Sequence, residues 1–129
     1  MSPARSTGPP GMSDFLADGV ELFAVLCVRD LARARPWYEA LLGGPPSFLA
    51  GETEAVWELA PHRWLAAEER PERAGHGVQT VFVDDLDRRV AAIAARGIEP
   101  AVRESYDNGV RKAIYRDADG NEIGFGGNG

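Results

Sequence analysis

The sequence is poor in the residues that build most metal and hydrolytic sites. Its 129 residues contain only two histidines, His62 and His76, and a single cysteine, Cys27. Because imidazole is both the usual neutral-pH base and the commonest transition-metal ligand, this shortage disfavours a centre built on several histidines. A lone cysteine also excludes an internal disulfide and a thiolate metal cluster.

Long apolar runs and basic clusters are missing as well. No stretch approaches the roughly 20 consecutive apolar residues of a membrane-spanning helix, and the first dozen residues contain no apolar secretory core. Lys and Arg number 14 against 20 Asp and Glu, a formal net charge of -6, and the basic residues are scattered. An acidic protein of this kind repels phosphate backbones. We therefore expect a cytoplasmic protein with neither nucleic acid nor membrane as partner.

The overall composition is that of an ordinary globular protein. Hydrophobic residues make up 44% and charged residues 26%, which fits one domain with a real core. The opening MSPARSTGPPG is rich in Pro, Gly and Ser, so we predict a flexible leader over residues 1–19. A single domain is predicted over residues 20–127.

The order strand, helix and three strands is predicted twice. Module one, about residues 20–70, begins with VELFAVLCV, has a helix ending at Gly43 and closes with SFLA, EAVWELA and RWLAAEE. Module two, about residues 76–127, begins with HGVQTVFV and has a helix that Asp85 is expected to cap and Gly97 to end. It closes with the strand candidates EPAVRES, VRKAIYRD and NEIGFG.

The two modules also match in sequence. At an offset of 55, five of the thirteen positions from 28 to 40 are identical. The identical pairs are Val28/Val83, Asp30/Asp85, Leu31/Leu86, Arg33/Arg88 and Ala40/Ala95. Together with the shared element order, these identities indicate an internal repeat.

The doubled order, the segments VRDLARARPWYEALLGG and VDDLDRRVAAIAARGI, and the closing YRDADGNEIGFGG resemble the vicinal oxygen chelate superfamily. That superfamily contains glyoxalases, extradiol dioxygenases and antibiotic-resistance binding proteins. The resemblance covers roughly residues 20–127. It implies an α+β fold in which tandem βαβββ modules form a curled mixed sheet, with a small-molecule cup and often a homodimer.

The resemblance also implies where a metal would bind. The metal enzymes of the superfamily place ligands on the first and last strand of each module, and at three of those positions this chain has Phe23, Val78 and Gly124. The fourth position falls near Ala66, or at Glu58 in another register of that strand. Side chains of Phe, Val and Gly donate nothing to a metal, and one carboxylate alone holds a divalent ion poorly. We therefore expect no metal and no cofactor, with a divalent metal as the alternative.

Side chains alternate along the first and fifth strands, so several apolar side chains share one face of each strand. The resemblance implies that these faces point into the cup. Two tryptophans offer further stacking surfaces. The predicted ligand-binding residues are Phe23, Val25, Cys27, Trp57, Trp64, Val78, Thr80, Phe82 and Gly124. Aromatic and β-branched residues on a strand face are also ordinary core residues. If they do line a cavity, it suits planar hydrophobic compounds.

Two functions remain open. In the first, a metal-independent homodimer sequesters a hydrophobic or aromatic compound, similar to the drug-sequestering branch of the superfamily. In the second, the protein is a glyoxalase-like lyase or an extradiol-dioxygenase-like metalloenzyme with a displaced metal site, for which His76 is a possible donor. Acid–base catalysis without a metal would need a carboxylate in the cup, and Glu122 and then Glu58 are the candidates.

Overall fold

The computed structural model describes residues 19–128. The predicted leader therefore lies outside the described residues, apart from Gly19. The elements follow one another as β1 (Leu22–Val28), α1 (Leu31–Leu42), β2 (Phe48–Leu49), β3 (Glu54–Ala60), β4 (Arg63–Glu69), a short 3-10 helix (Pro71–Arg73), β5 (Val78–Phe82), α2 (Leu86–Ala95), β6 (Val102–Ser105), β7 (Arg111–Arg116) and β8 (Glu122–Gly127). Within residues 19–128, no helix is long and apolar enough to cross a membrane.

Each module forms one four-stranded mixed sheet. The strand orders are β1-β4-β3-β2 and β5-β8-β7-β6. In both sheets the first strand of the module pairs in parallel with the last, and the remaining pairs are antiparallel. The prediction of an α+β fold with tandem βαβββ modules is confirmed.

Helix α1 has the ends that its sequence predicts. The Asp30 side chain accepts a hydrogen bond from the backbone N–H of Arg33 at 3.1 Å, which satisfies one of the free donors of the first turn. The N–H of Leu31 donates to the Glu69 carboxylate at 2.9 Å, so β4 helps to fix this end. Gly43 ends the helix in the left-handed conformation, with φ 92°.

Helix α2 begins differently from the prediction. The expectation that the Asp85 side chain caps this helix is wrong, since that side chain makes no capping hydrogen bond. Asp85 instead adopts φ 54° and ψ 52°, a left-handed conformation that Asp tolerates better than most residues and that turns the chain out of β5. Its carbonyl still accepts from the Arg89 N–H at 3.1 Å, which starts the helix.

The two modules share one hydrophobic core. It contains buried side chains from both helices and from one face of each sheet, namely Leu26, Val28, Leu31, Tyr38, Leu41, Ala55, Trp57, Leu65 and Ala67 of module one and Leu86, Val90, Ile93, Ala113, Tyr115, Ile123 and Phe125 of module two. Because side chains alternate along a strand, the residues between these core positions point to the opposite face of each sheet.

A buried carboxylate holds the closing turn of module two. One oxygen of Asp117 accepts hydrogen bonds from the backbone N–H groups of Asp119, Gly120 and Asn121 at 3.0, 2.9 and 2.8 Å. The other oxygen accepts from the Tyr38 hydroxyl at 2.7 Å and from the Asn121 amide at 2.8 Å. A buried carboxylate is costly unless it is hydrogen-bonded, and five donors meet that need here.

The same network joins the modules. The Asn121 amide also donates to the Cys27 carbonyl at the end of β1, at 2.7 Å, and its oxygen accepts from the Gly77 N–H before β5, at 2.8 Å. Tyr38 belongs to α1, where burial and then the hydrogen bond to Asp117 raise the pKa of its phenol, so that it stays protonated and donates. The DADGN segment therefore connects α1, β1 and β5 to β8.

The variant Tyr38→Phe removes one charge-assisted hydrogen bond from Asp117 without creating a cavity. We expect the free energy of unfolding to fall by about 1.5 to 3 kcal/mol, measured by urea denaturation at neutral pH. The control is Tyr106→Phe, which removes an exposed hydroxyl that donates to Glu104. A loss in Tyr38→Phe no larger than in this control would contradict the role given to Asp117.

Candidate functional site

The face of each sheet that points away from the core is the candidate site. We call the two surfaces cup face one and cup face two. Strand register arranges cup face one in three rows, Phe23/Trp64/Glu58, Val25/Ala66/Val56/Phe48 and Cys27/Glu68/Glu54. Cup face two has the corresponding rows Val78/Glu122/Arg116, Thr80/Gly124/Ile114/Val102 and Phe82/Gly126/Lys112/Glu104.

Cup face one is lined by aromatic rings. Phe23 and Phe48 are 46% and 47% exposed, and the Phe48 ring lies edge-on to that of Trp64 with centroids 5.9 Å apart. The Trp64 indole N–H donates to the Glu21 carboxylate at 3.2 Å, which fixes the direction of the ring. The rings present open π surface, the kind of surface on which a flat compound stacks.

Carboxylates stand at both ends of cup face one. Glu58 lies beside Trp64, whereas Glu54 and Glu68 face each other in the row of Cys27. Burial and then the neighbouring Glu68 raise the pKa of Glu54, against a smaller opposite effect of Arg70. Arg70 forms an ion pair with Glu68. Cup face one therefore carries three carboxylates and one neighbouring guanidinium.

Cup face two has a floor of glycine. A Cβ at Gly124 would lie 3.5 Å from Lys112 Cε and 3.6 Å from Thr80 Oγ1, so the lysine stem crosses the floor next to the threonine hydroxyl. The Phe82 ring lies over Gly126, 3.0 Å from the position that a Cβ would take there. Glycine thus leaves room for these side chains to lie flat against the sheet.

Eight of the nine predicted ligand-binding residues lie on the two cup faces. They are Phe23, Val25, Cys27, Trp64, Val78, Thr80, Phe82 and Gly124. Their contact with a ligand remains a prediction. Trp57 needs a correction, because it points to the opposite side, where it is buried, stacks on Tyr38 at 5.9 Å and donates to the Gly44 carbonyl at 3.0 Å.

The positions at which the superfamily's metal enzymes place ligands are equivalent in the two sheets of this chain. Ala66 pairs with Val25 on the first strand of module one, just as Gly124 pairs with Thr80 in module two. The alternative that Glu58 occupies the last strand of module one is wrong, because Glu58 lies on β3. The last strand therefore presents Ala66 at this position.

The remaining candidate donors are dispersed. Glu122, the first candidate for a general base, is paired with Arg116 at 2.9 Å. His76 is exposed and precedes β5. In the described part of the chain, no group of three or more His, Cys, Asp or Glu is placed to hold a metal ion.

Several residues of the cup faces were not recognised from the sequence. Phe48, Glu54 and Glu68 reach cup face one through the β2–β3 and β3–β4 pairs, and Lys112 reaches cup face two through the β7–β8 pair. Alternation assigns each side chain to one face of the sheet only when it is known which face of one of its strands points to the core. Their side-chain types are visible in the sequence, but their common surface is not.

A separate shallow cleft lies outside the cup faces. It has a volume of about 220 Å³ and lies between the start of α1 and the turn before β8. Its walls include Arg29, Arg33, Trp37 and Asp119. The Asp119 carboxylate accepts from the Arg29 backbone N–H at 3.2 Å. Part of its polar surface therefore serves to hold the turn.

Paired βαβββ modules, each with one open sheet face, define the class of fold to which this chain belongs. A family model described as the Glyoxalase/Bleomycin resistance protein/Dioxygenase superfamily matches residues 21–125. The chain belongs to this superfamily. No curated protein matches the chain.

Solved structures agree with this assignment. A glyoxalase/bleomycin resistance protein from Catenulispora acidiphila DSM 44928 is 50% identical, with a TM-score of 0.82 over 84% of this chain and 98% of that one. A lactoylglutathione lyase from Agrobacterium tumefaciens is 17% identical, with a TM-score of 0.67 over 84% and 93% of the two chains. TioX from Micromonospora sp. ML1 is 18% identical, with a TM-score of 0.64 over 83% and 94%. The last two share the fold.

The variant Glu54→Gln tests the electrostatics of cup face one. The pKa of Glu54 is raised in the folded protein, so its ionisation destabilises the fold at pH values above that pKa and has no such effect below the ordinary Glu pKa. We expect Glu54→Gln to stabilise the protein against urea at pH 7 and to lose this advantage as the pH falls to about 4.

The control for this prediction is Glu52→Gln, which removes the same charge from the exposed turn before β3. We expect it to change the free energy of unfolding by no more than about 0.5 kcal/mol. If Glu54→Gln gave the same gain at both pH values, like-charge repulsion and desolvation would not be its source.

Proposed function

We propose that this protein is a metal-independent homodimer that binds a small hydrophobic or aromatic compound between its cup faces. The observation that carries the proposal is the amount of apolar surface that the cup faces leave open. Val78 and Phe82 are 69% and 53% exposed, in addition to the half-exposed Phe23 and Phe48. Contiguous exposed apolar surface of this kind is typical of binding sites and interfaces. The cytoplasmic location proposed with it rests on the composition of the sequence.

The lining of the cup faces supports a flat apolar ligand. Phe23, Phe48 and Trp64 offer rings on one face, while Phe82 and the glycine floor offer a ring and room on the other. Apolar walls supply most of the affinity in such sites, and a few polar groups fix the orientation. Thr80 and Lys112 are polar groups of this kind on cup face two.

The side chains at the metal positions support a function without a catalytic metal. Phe23, Ala66, Val78 and Gly124 have no donor atom in their side chains. The carboxylate nearest to these positions on cup face two, Glu122, is already neutralised by Arg116. A hard divalent ion requires several oxygen or nitrogen ligands together.

A second copy of the chain would close the cup. In the described residues, β1 and β5 are edge strands of two separate sheets, and both cup faces are open. Cup face one has an excess of carboxylates, and Lys112 on cup face two forms no ion pair among these residues. Lys112 is therefore available to a carboxylate on cup face one of another copy, and the apolar surface that both faces leave open supplies the rest of the contact.

We expect the purified protein to sediment as a dimer and Val78→Asp to shift it towards the monomer. The substitution places a charge in apolar surface that dimer formation would bury, which is costly without a partner. Analytical ultracentrifugation measures both states. The control Leu49→Asp introduces the same charge at an exposed apolar residue that pairs with Ala55, outside the cup faces, and should remain dimeric. A monomeric wild-type protein would contradict the dimer.

Ligand binding is tested by equilibrium dialysis against a panel of two-ring aromatic compounds, with and without EDTA. We expect binding that EDTA does not change and that Phe23→Ala weakens about three- to tenfold through loss of a stacking surface. Leu49→Ala, which truncates an exposed apolar side chain outside the cup faces, is the matched control. Elemental analysis completes the test: a retained stoichiometric divalent ion whose removal abolishes binding would favour the glyoxalase-like or dioxygenase-like metalloenzyme instead.

A further inference from the structure

The two cup faces differ in charge, and this difference bears on the ligand. On cup face two the charges nearly balance, since Arg116 is paired with Glu122 and Lys112 lies opposite Glu104 in the strand register. On cup face one, Arg70 forms the one ion pair that the three carboxylates make among residues 19–128. Cup face one therefore has a net negative charge beside its aromatic rings.

The positions of these carboxylates relative to the rings are specific. Glu58 is the direct cross-strand partner of Trp64, and Trp64 is in turn the partner of Phe23. Directly opposed residues on neighbouring strands have Cβ atoms about 4.5 to 5.5 Å apart. A compound lying on the Phe23 and Trp64 rings would therefore have the Glu58 carboxylate at its edge. The nearby Glu21 carboxylate, in contrast, already accepts from the Trp64 indole N–H and contacts His62.

Glu58 is available for such a contact. Its backbone N–H donates to the Ser47 hydroxyl at 2.9 Å, which holds the strand at this point, whereas its carboxylate forms no ion pair among the described residues. The second acidic end, Glu54 and Glu68, lies two rows further along β3 and β4. Here Arg70 neutralises one of the two carboxylates.

A site lined by both aromatic rings and carboxylates selects ligands by their charge. The face of an aromatic ring attracts a cation, and a carboxylate at the edge of the ring adds an ion pair. The same arrangement gives a neutral compound only stacking and apolar contact, and it repels an anion. Charge therefore discriminates between compounds of equal shape.

We propose that the ligand of cup face one is a planar organic cation, whose flat ring lies on Phe23 and Trp64 and whose positive charge is matched by Glu58. This inference rests on the proposed small-molecule function and specifies its ligand class. The cation is held by stacking and an ion pair, and no covalent step is involved.

Three two-ring probes of nearly equal shape test this inference. They are N-methylquinolinium as the permanent cation, 1-methylnaphthalene as its neutral counterpart and 1-naphthoate as the anion. Each is dialysed to equilibrium against the full-length wild-type protein, and the bound fraction is read from ultraviolet absorbance. We expect the cation to bind at least tenfold more tightly than the neutral probe and the anion to bind most weakly.

The variant Glu58→Gln isolates the ion pair. Its side chain is exposed, so we expect it to fold as the wild type does, to bind the neutral probe unchanged and to lose most of the preference for the cation. The matched control is Glu99→Gln, which removes the same charge from an exposed site between α2 and β6, and which should keep the full preference.

The outcomes separate this inference from the function on which it rests. Equal binding of cation and neutral probe, or tighter binding of the anion, overturns the cationic ligand and leaves an aromatic-binding cup. A preference for the cation that survives in Glu58→Gln overturns the role of Glu58. If none of the three probes binds, the proposed function fails together with the inference.

Discussion

The fold depends on a buried carboxylate that is held by hydrogen bonds and that forms no ion pair among residues 19–128. Asp117 is stabilised by three backbone N–H groups of its own turn, by the Asn121 amide and by the phenol of Tyr38. Because Tyr38 belongs to the helix of the other module, this arrangement connects the halves of the chain. Asn121 extends it to Cys27 and Gly77, at the ends of the two first strands. The modules are thereby held in one relative position while the opposite faces of their sheets stay open.

The shared core and the cup faces lie on opposite sides of each sheet, which explains why the cup faces can vary in chemistry. The core side of each sheet carries most of the packing, for example through Trp57 against Tyr38, whereas exposed residues of the other side, such as Phe23, lie outside the shared core. In metalloenzymes of this superfamily, those positions hold ligands. Here Phe23 offers ring surface instead, and Gly124 leaves room that the Lys112 and Thr80 side chains occupy. Under the proposed function, the same scaffold serves stacking and charge selection in place of Lewis-acid chemistry.

The element order and most residues of the two cup faces could be predicted from the sequence. Alternation placed Phe23 and Val78 on the faces that point away from the core, as the structure has them. It failed where the face on which a side chain lies depends on the neighbouring strands. Trp57 is predicted to line the cup but points into the core, and Glu58 lies on β3 and not on the last strand of module one. The cap expected from Asp85 failed for a similar reason, because the path out of β5 requires a left-handed residue there.

The sequence by itself determined the repeated βαβββ order, the scarcity of metal-binding side chains and the turn that DADGN forms, since all of these depend on local periodicity, composition and short-range hydrogen bonds. Only the tertiary structure decided that Glu58 lies beside Trp64 and that Lys112 crosses Gly124. Those pairs come from different strands, and their meeting is fixed by sheet order and register. Register is set by the packing of the shared core, so the chemistry of the open faces follows from residues on the opposite side of the same strands.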